Sequence, residues 1–211
     1  GQAVNPLLKL SGFRVAYGEQ QVLKGVELEL PEDGMTVLVG PAGGGKSTLL
    51  RTLSGLNAAL PQLRTTGTAL FRGAPLASAD RHAYRSISYV MQHARFFIAS
   101  VRENLATALP DRQALEHSEQ NVRLKELLLA NGLPELVPAL HREVVSLDTS
   151  LQRRLAIVCA VASNPALLLV DEPTAGMTEE AGAPIISMAL MPEMTQYFSS
   201  SSAELGMERN E

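Results

Sequence analysis

The sequence predicts an α/β fold, a mostly parallel central sheet flanked by helices. Two short segments, residues 35–39 and 166–170, are apolar apart from Thr36; glycines bound the first, and the second runs into Asp171 and Glu172. That is the pattern of strands covered on both faces in a parallel sheet. Each adjoins a stretch of helical periodicity, residues 46–55 after the first and 151–163 before the second. The hydrophobic content is 45%, yet aromatics make up 4% and Trp is absent, so the core is built from Leu, Val, Ile and Ala.

Taken in order, residues 7–30 read as two strands turning at Gly18, with Val26, Leu28 and Leu30 alternating in the second. They form an N-terminal antiparallel β-subdomain. Residues 31–34 (Pro-Glu-Asp-Gly) are a turn that leads into the first apolar strand. Leu49, Leu50 and Leu53 mark one face of the helix that follows. Residues 69–72 and 87–91 are further strands. Residues 96–150 are rich in Leu, Ala, Glu, Gln and Arg and read as an inserted helical lobe, broken at Pro110, Gly132 and Pro134. Residues 178–191 read as a helix with Pro184 in its first turns. A run of four serines, 199–202, opens a polar tail without periodicity, expected to be disordered through residue 211.

The expected organisation is one domain over residues 1–198, with its core from 7–95 and 151–192 and its lobe from about 96–150. The net charge is −4 with no basic run, so no nucleic-acid partner is expected. Cys159 is the single cysteine, which excludes an internal disulfide and suits a reducing cytoplasm. In its apolar surroundings it reads as a buried core residue. No apolar run approaches the ~18 residues that span a bilayer. Residues 1–9 carry no signal-peptide pattern and read as a trimmed or tagged terminus. Membrane association is expected only through a partner.

Residues 40–48 carry the chemistry. Gly40, Pro41, Ala42, Gly43, Gly44, Gly45, Lys46, Ser47 and Thr48 match G-x-x-x-x-G-K-[ST], the phosphate-cradling P-loop, between a strand and a helix. The glycines let successive backbone N–H groups face a phosphate chain, and the helix adds its positive N-terminal end. Lys46 reaches the β- and γ-phosphates and Ser47 offers a hydroxyl to Mg²⁺. At the end of the second apolar strand, Asp171 is placed to hold Mg²⁺ and Glu172 to polarise an attacking water as general base. Together they predict a P-loop NTPase with ATP and Mg²⁺ as ligands.

Over about residues 7–178 the chain resembles the ATPase domain of the ATP-binding-cassette (ABC) family. Tyr17, ahead of the P-loop, matches the aromatic that the family stacks on adenine. Gln92, after Tyr89-Val-Met, matches the family's Q-loop glutamine, which contacts Mg²⁺ and the attacking water; its loop bears on the membrane partner. The segment 100–105 and residues 173–177 also fall in the family's order. The resemblance implies a transport ATPase subunit that pairs head to tail with a second such subunit, in a homo- or heterodimer. It would sit at the cytoplasmic face of the membrane on transmembrane permease subunits that select the substrate. A non-transport ABC protein or slow nucleotide sensor is the alternative.

The chain departs from the family in three places. The signature, usually Leu-Ser-Gly-Gly-Gln, is replaced by residues 147–151, Leu-Asp-Thr-Ser-Leu. Thr149 and Ser150 stand where glycines allow close approach to the other subunit's γ-phosphate, and Asp148 puts a negative charge there unless it turns away. Thr178 stands where the family has an Asp that serves communication across the dimer. No histidine follows Glu172 in this sequence, so the family's switch histidine is not matched, whether through truncation or a replaced end; His82, His93, His117 and His141 lie upstream and read as surface residues. These departures imply intact ATP binding and low intrinsic turnover.

Overall fold

The computed structural model describes residues 5–32, 36–40, 44–76, 86–91, 95–171 and 185–187. The N-terminal alternation becomes a hairpin, β1 (Leu8–Tyr17) and β2 (Gln20–Leu30), turning at Gly18, whose φ is +57°. Val26, Leu28 and Leu30 are buried while Glu27 and Glu29 between them are exposed, the period of two that a half-covered sheet imposes. Strand β4 (Leu63–Phe71) pairs with the other edge of β1, and β5 (Ala74–Pro75) with β4, giving an antiparallel sheet in the order β2-β1-β4-β5. β4 begins at Leu63 rather than Ala69: its first half, mostly exposed and carrying Arg64, Thr65 and Thr66, has no apolar alternation, and pairing with β1 recruits it. Where that pairing changes register, Gly67 (φ +84°) packs so closely that a Cβ there would lie 2.1 Å from the Gly12 carbonyl oxygen.

The second sheet is parallel, in the order β6-β7-β3-β8. It contains β3 (Thr36–Gly40), β6 (Ile87–Val90), β7 (Leu167–Asp171) and β8 (Ile185–Ser187). All five residues of β7 are buried: the four apolar ones as strands covered on both faces require, and Asp171 with them. β8 corrects the helix expected over residues 178–191, for residues 185–187 are a strand on β3; the remainder of that stretch lies outside the described residues. An apolar pair such as Ile185 and Ile186 fits either period, and here pairing with β3 decided.

Helix α1 (Gly44–Ser54) buries Leu49, Leu50 and Leu53 completely, in one cluster with Leu28 and Leu30 of β2 and Leu167 and Leu169 of β7. The helical region holds α2 (Val101–Ala108) and α3 (His117–Ala130), broken at Pro110, Gly132 and Pro134. Ser100 caps α2 by accepting from the Glu103 N–H at 3.0 Å. Helix α4 (Thr149–Ala162) serves two cores. Leu155, Val158 and Ala162 complete the cluster built by Val101, Leu105, Leu124 and Leu128, while Ala156, Ile157, Ala160 and Val161 pack on Val37, Val90, Leu168 and Val170 of the parallel sheet.

Candidate functional site

The parallel pairing of β3 with β7 sets Gly40 opposite Asp171, so the start of the P-loop and the carboxylate at the strand end are neighbours. Gly44 and Gly45 open α1, which carries Lys46, Ser47 and Thr48 in its first turns. Lys46 and Thr48 are buried, Lys46 only 6% exposed. The Ser47 hydroxyl donates toward both oxygens of Asp171, at 3.3 Å to Oδ1 and 3.2 Å to Oδ2. A carboxylate only 5% exposed needs such donors to offset its desolvation.

A second donor comes from β6. The Tyr89 phenol donates to Asp171 Oδ2 at 2.9 Å. Its pKa is pushed up to about 12, mainly by burial, then by the hydrogen bond to Asp171 and that carboxylate's charge; a hydrogen bond from Arg51 and its charge pull the other way. The phenol is therefore neutral, and a donor, at any ordinary pH. Tyr89 was not singled out from the sequence as a site residue. The available signal was weak: a tyrosine in a strand that runs toward Gln92, with a polar handle on an otherwise apolar side chain.

Tyr17 ends β1 at the tip of the hairpin, opposite Gln20 and Leu63, and is partly exposed. Among the described residues, then, Lys46, Ser47, Thr48 and Asp171 are gathered at the junction of β3, α1 and β7, and Tyr17 stands at the hairpin. Gln92, Glu172, Pro41, Ala42 and Gly43 lie outside the described residues, as do Thr178, His82, His93 and residues 199–211. His117 and His141 are exposed. Cys159 is partly buried rather than fully so; it packs against the helical cluster, and desolvation pushes its thiol up to about 12.

The signature segment resolves a question its sequence raised. Asp148 turns back on its own helix, its Oδ1 accepting from the Leu151 N–H at 2.8 Å as the N-cap of α4. Thr149 and Ser150 follow, both exposed. Gln152 is tied inward, donating to the carbonyls of Val144 and Leu147 at 3.1 and 2.9 Å.

The donors suit Mg²⁺. Among the described residues no three or more His, Cys, Asp or Glu side chains converge as a complete metal cage. Mg²⁺ does not require one, because it keeps water and binds through one or two carboxylates together with substrate phosphates. Ser47 and Asp171 offer one neutral and one anionic hard oxygen beside the phosphate loop. Their separation exceeds the ~2.7–2.8 Å of a relaxed hydroxyl–carboxylate bond.

Beyond the parallel sheet, a groove of about 500 Å³ lies between β6, the segment after it and α4; Met91, Arg95, Phe96, Phe97 and Cys159 are among its lining. Phe97 is 66% exposed and Ile98 93% exposed. Among the described residues no helix is long and apolar enough to cross a membrane.

A P-loop helix set on a buried carboxylate of the adjacent parallel strand, with an antiparallel sheet on one side and a helical cluster on the other, defines a cassette-type ATPase domain, and the chain belongs to the ABC transporter family, whose model matches residues 23–175. Among curated proteins it is 30% identical over 197 residues to the phosphate import ATP-binding protein PstB 2 of Streptococcus mutans serotype c, covering 90% of this chain and 70% of that protein. It is 31% identical over 180 residues to PstB 1 of Streptococcus pyogenes serotype M1, covering 82% and 70%. In fold it is similar to cbiO1 from Clostridium perfringens, part of the ABC transporter complex cbiONQ (TM-score 0.65, 23% identity, 87% of this chain and 78% of that one). It is also similar to a bacterial Atm1-family ABC exporter with ATP bound (TM-score 0.67, 20% identity, 87% and 34%).

Proposed function

We propose that this chain is the ATP-binding and ATP-hydrolysing subunit of an ABC transporter, with low turnover of its own. The observation that carries the reading is the pair formed by Ser47 and Asp171 at the mouth of the P-loop. Backbone N–H groups of residues 40–45 cradle the phosphates, Lys46 neutralises their charge, and Tyr17 stacks on adenine. Ser47, Asp171 and Gln92 would hold Mg²⁺, which would screen the charge on the β- and γ-phosphate oxygens. Glu172, the next residue after Asp171, takes a proton from the attacking water, and Gln92 helps to orient that water.

The site is completed by a second subunit, whose signature segment caps the γ-phosphate across a head-to-tail dimer. What this chain donates in return is poor. A glycine pair lets backbone approach the phosphate; Thr149 and Ser150 add side chains there, and Asp148 uses its carboxylate to fill the helix N-terminus that would otherwise attract an anion. In a heterodimer its own P-loop still meets a good signature, whereas in a homodimer both sites suffer. The permease docks on the groove beside β6, where Phe97 and Ile98 stand exposed next to the chain that leads to Gln92. Through that partner the subunit sits at the cytoplasmic face of the membrane.

The test is ATP binding and turnover of the purified chain. Lys46→Ala abolishes ATP affinity, and Glu172→Gln slows turnover and stabilises an ATP-bound dimer. Replacing Asp148, Thr149 and Ser150 by Ser, Gly and Gly raises the turnover of the homodimer. ATP affinity unaffected by Lys46→Ala removes the whole reading, and rapid hydrolysis by the unmodified chain alone removes the low-turnover part.

A further inference from the structure

Asp171 lies at the end of its strand, where a carboxylate is otherwise free to rotate about both side-chain torsions. Ser47 reaches it from α1, 124 residues away in sequence, and Tyr89 reaches it from β6, 82 residues away. The reach follows from register. β6 and β7 are parallel neighbours with Tyr89 opposite Leu169, and Asp171 stands two residues further along the same face of β7. Such a diagonal is within range of an aromatic side chain carrying a terminal hydroxyl. Arg51, from the last turn of α1, is near enough for its charge to act on the phenol. One hydroxyl thus joins the P-loop helix, β6 and the carboxylate strand.

We propose that Tyr89 is a positioning residue for the metal-holding carboxylate, its phenol O–H pinning Asp171 Oδ2 so that, together with the Ser47 hydroxyl that bridges both oxygens, the carboxylate is fixed toward the P-loop before nucleotide and metal arrive. The inference rests on the reading of Asp171 as a Mg²⁺ ligand. Fixing a ligand in advance lowers the ordering cost of metal binding, so the effect belongs to the metal and not to the nucleotide. Removing the O–H leaves the ring and its packing in place but takes from Asp171 Oδ2 the shorter of its two donors, leaving the 3.2 Å contact from Ser47.

The experiment uses Mn²⁺ as the probe, because its free form is counted by electron paramagnetic resonance. Mn²⁺ affinity is measured at saturating ATP for the unmodified chain, Tyr89→Phe and Asp171→Asn, and ATP affinity is measured separately in EDTA. Tyr89→Phe weakens Mn²⁺ by about 3- to 10-fold, the range expected for the net contribution of one ordinary hydrogen bond, and changes the hyperfine pattern of the bound ion, with the loss confined to metal. Asp171→Asn weakens Mn²⁺ more. If Asp171→Asn weakens Mn²⁺ and Tyr89→Phe matches the unmodified chain, Tyr89 has no positioning role while the site reading stands. If Asp171→Asn itself leaves Mn²⁺ affinity intact, the site reading fails and takes this inference with it. An equal loss of ATP affinity with and without metal makes Tyr89 a packing residue only and overturns the proposal. Tyr89→Met, which fills the space without a donor, serves the same comparison if the Phe variant melts early.

Discussion

At the scale of single residues, two chemistries depend on burial. The Cys159 thiol is pushed up from 9.0 to about 12 and the Tyr89 phenol from 10.0 to about 12. In both cases the folded chain holds its proton more tightly than the unfolded chain does. Their contribution to stability is full below the unfolded values and is lost as pH rises through the folded ones. Urea denaturation is therefore expected to show stability insensitive to these two groups below pH 9, falling between about 9 and 12. Cys159→Ala makes that fall shallower. The same desolvation keeps the thiol protonated at neutral pH, so maleimide labels it much more slowly in the native chain than in urea. Gly67 is a steric counterpart: with φ at +84° and the Gly12 carbonyl oxygen 2.1 Å from any added Cβ, Gly67→Ala must move backbone. A loss of about 2 kcal/mol or more in unfolding free energy is expected; a loss under half that would mean β1 and β4 separate easily there.

Among the elements, α4 concentrates the most consequence. It begins on the Asp148 cap and carries one face into the helical cluster and the other onto the parallel sheet. Asp148→Ala removes the cap and costs about 1 kcal/mol, whereas Asp148→Ser retains a capping oxygen and most of that stability. Leu155→Ala opens a cavity in the helical cluster, with a loss of about 2–5 kcal/mol in thermal or denaturant unfolding. The element scale is also where reading the sequence met its limits. Residues 35–39 and 166–170 announced strands because apolar residues on both faces suit only a buried strand. β8 did not, because Ile185 and Ile186 fit a helical period equally well. The first half of β4 was invisible for the opposite reason: Arg64, Thr65 and Thr66 carry no burial pattern and become a strand only by pairing with β1.

For the whole molecule, the proposed division of labour puts nucleotide on the P-loop side of the parallel sheet and the permease on the groove side. Phe97→Asp together with Ile98→Asp is expected to abolish co-purification with a multi-span membrane partner while ATP affinity in solution stays within twofold. Co-purification that survives both substitutions would place the docking surface elsewhere. A fall in ATP affinity would mean that the groove and the P-loop are not separate surfaces.

The P-loop motif, the strand that ends in Asp171 and the family were legible in the linear chain. In each case the chemistry resides in consecutive residues: a glycine loop between strand and helix, or an acid directly after an apolar run. The linear chain also named Gln92 and Glu172, by their place in those local patterns. Which groups meet Asp171, and where Asp148 points, became visible in the folded chain alone. Ser47 and Tyr89 reach Asp171 through the pairing of strands far apart in the chain, and no local pattern encodes that register. The signature segment could be read as Leu-Asp-Thr-Ser-Leu, but whether its carboxylate faced outward or capped its own helix depended on a backbone turn fixed by the packing of α4 against two cores.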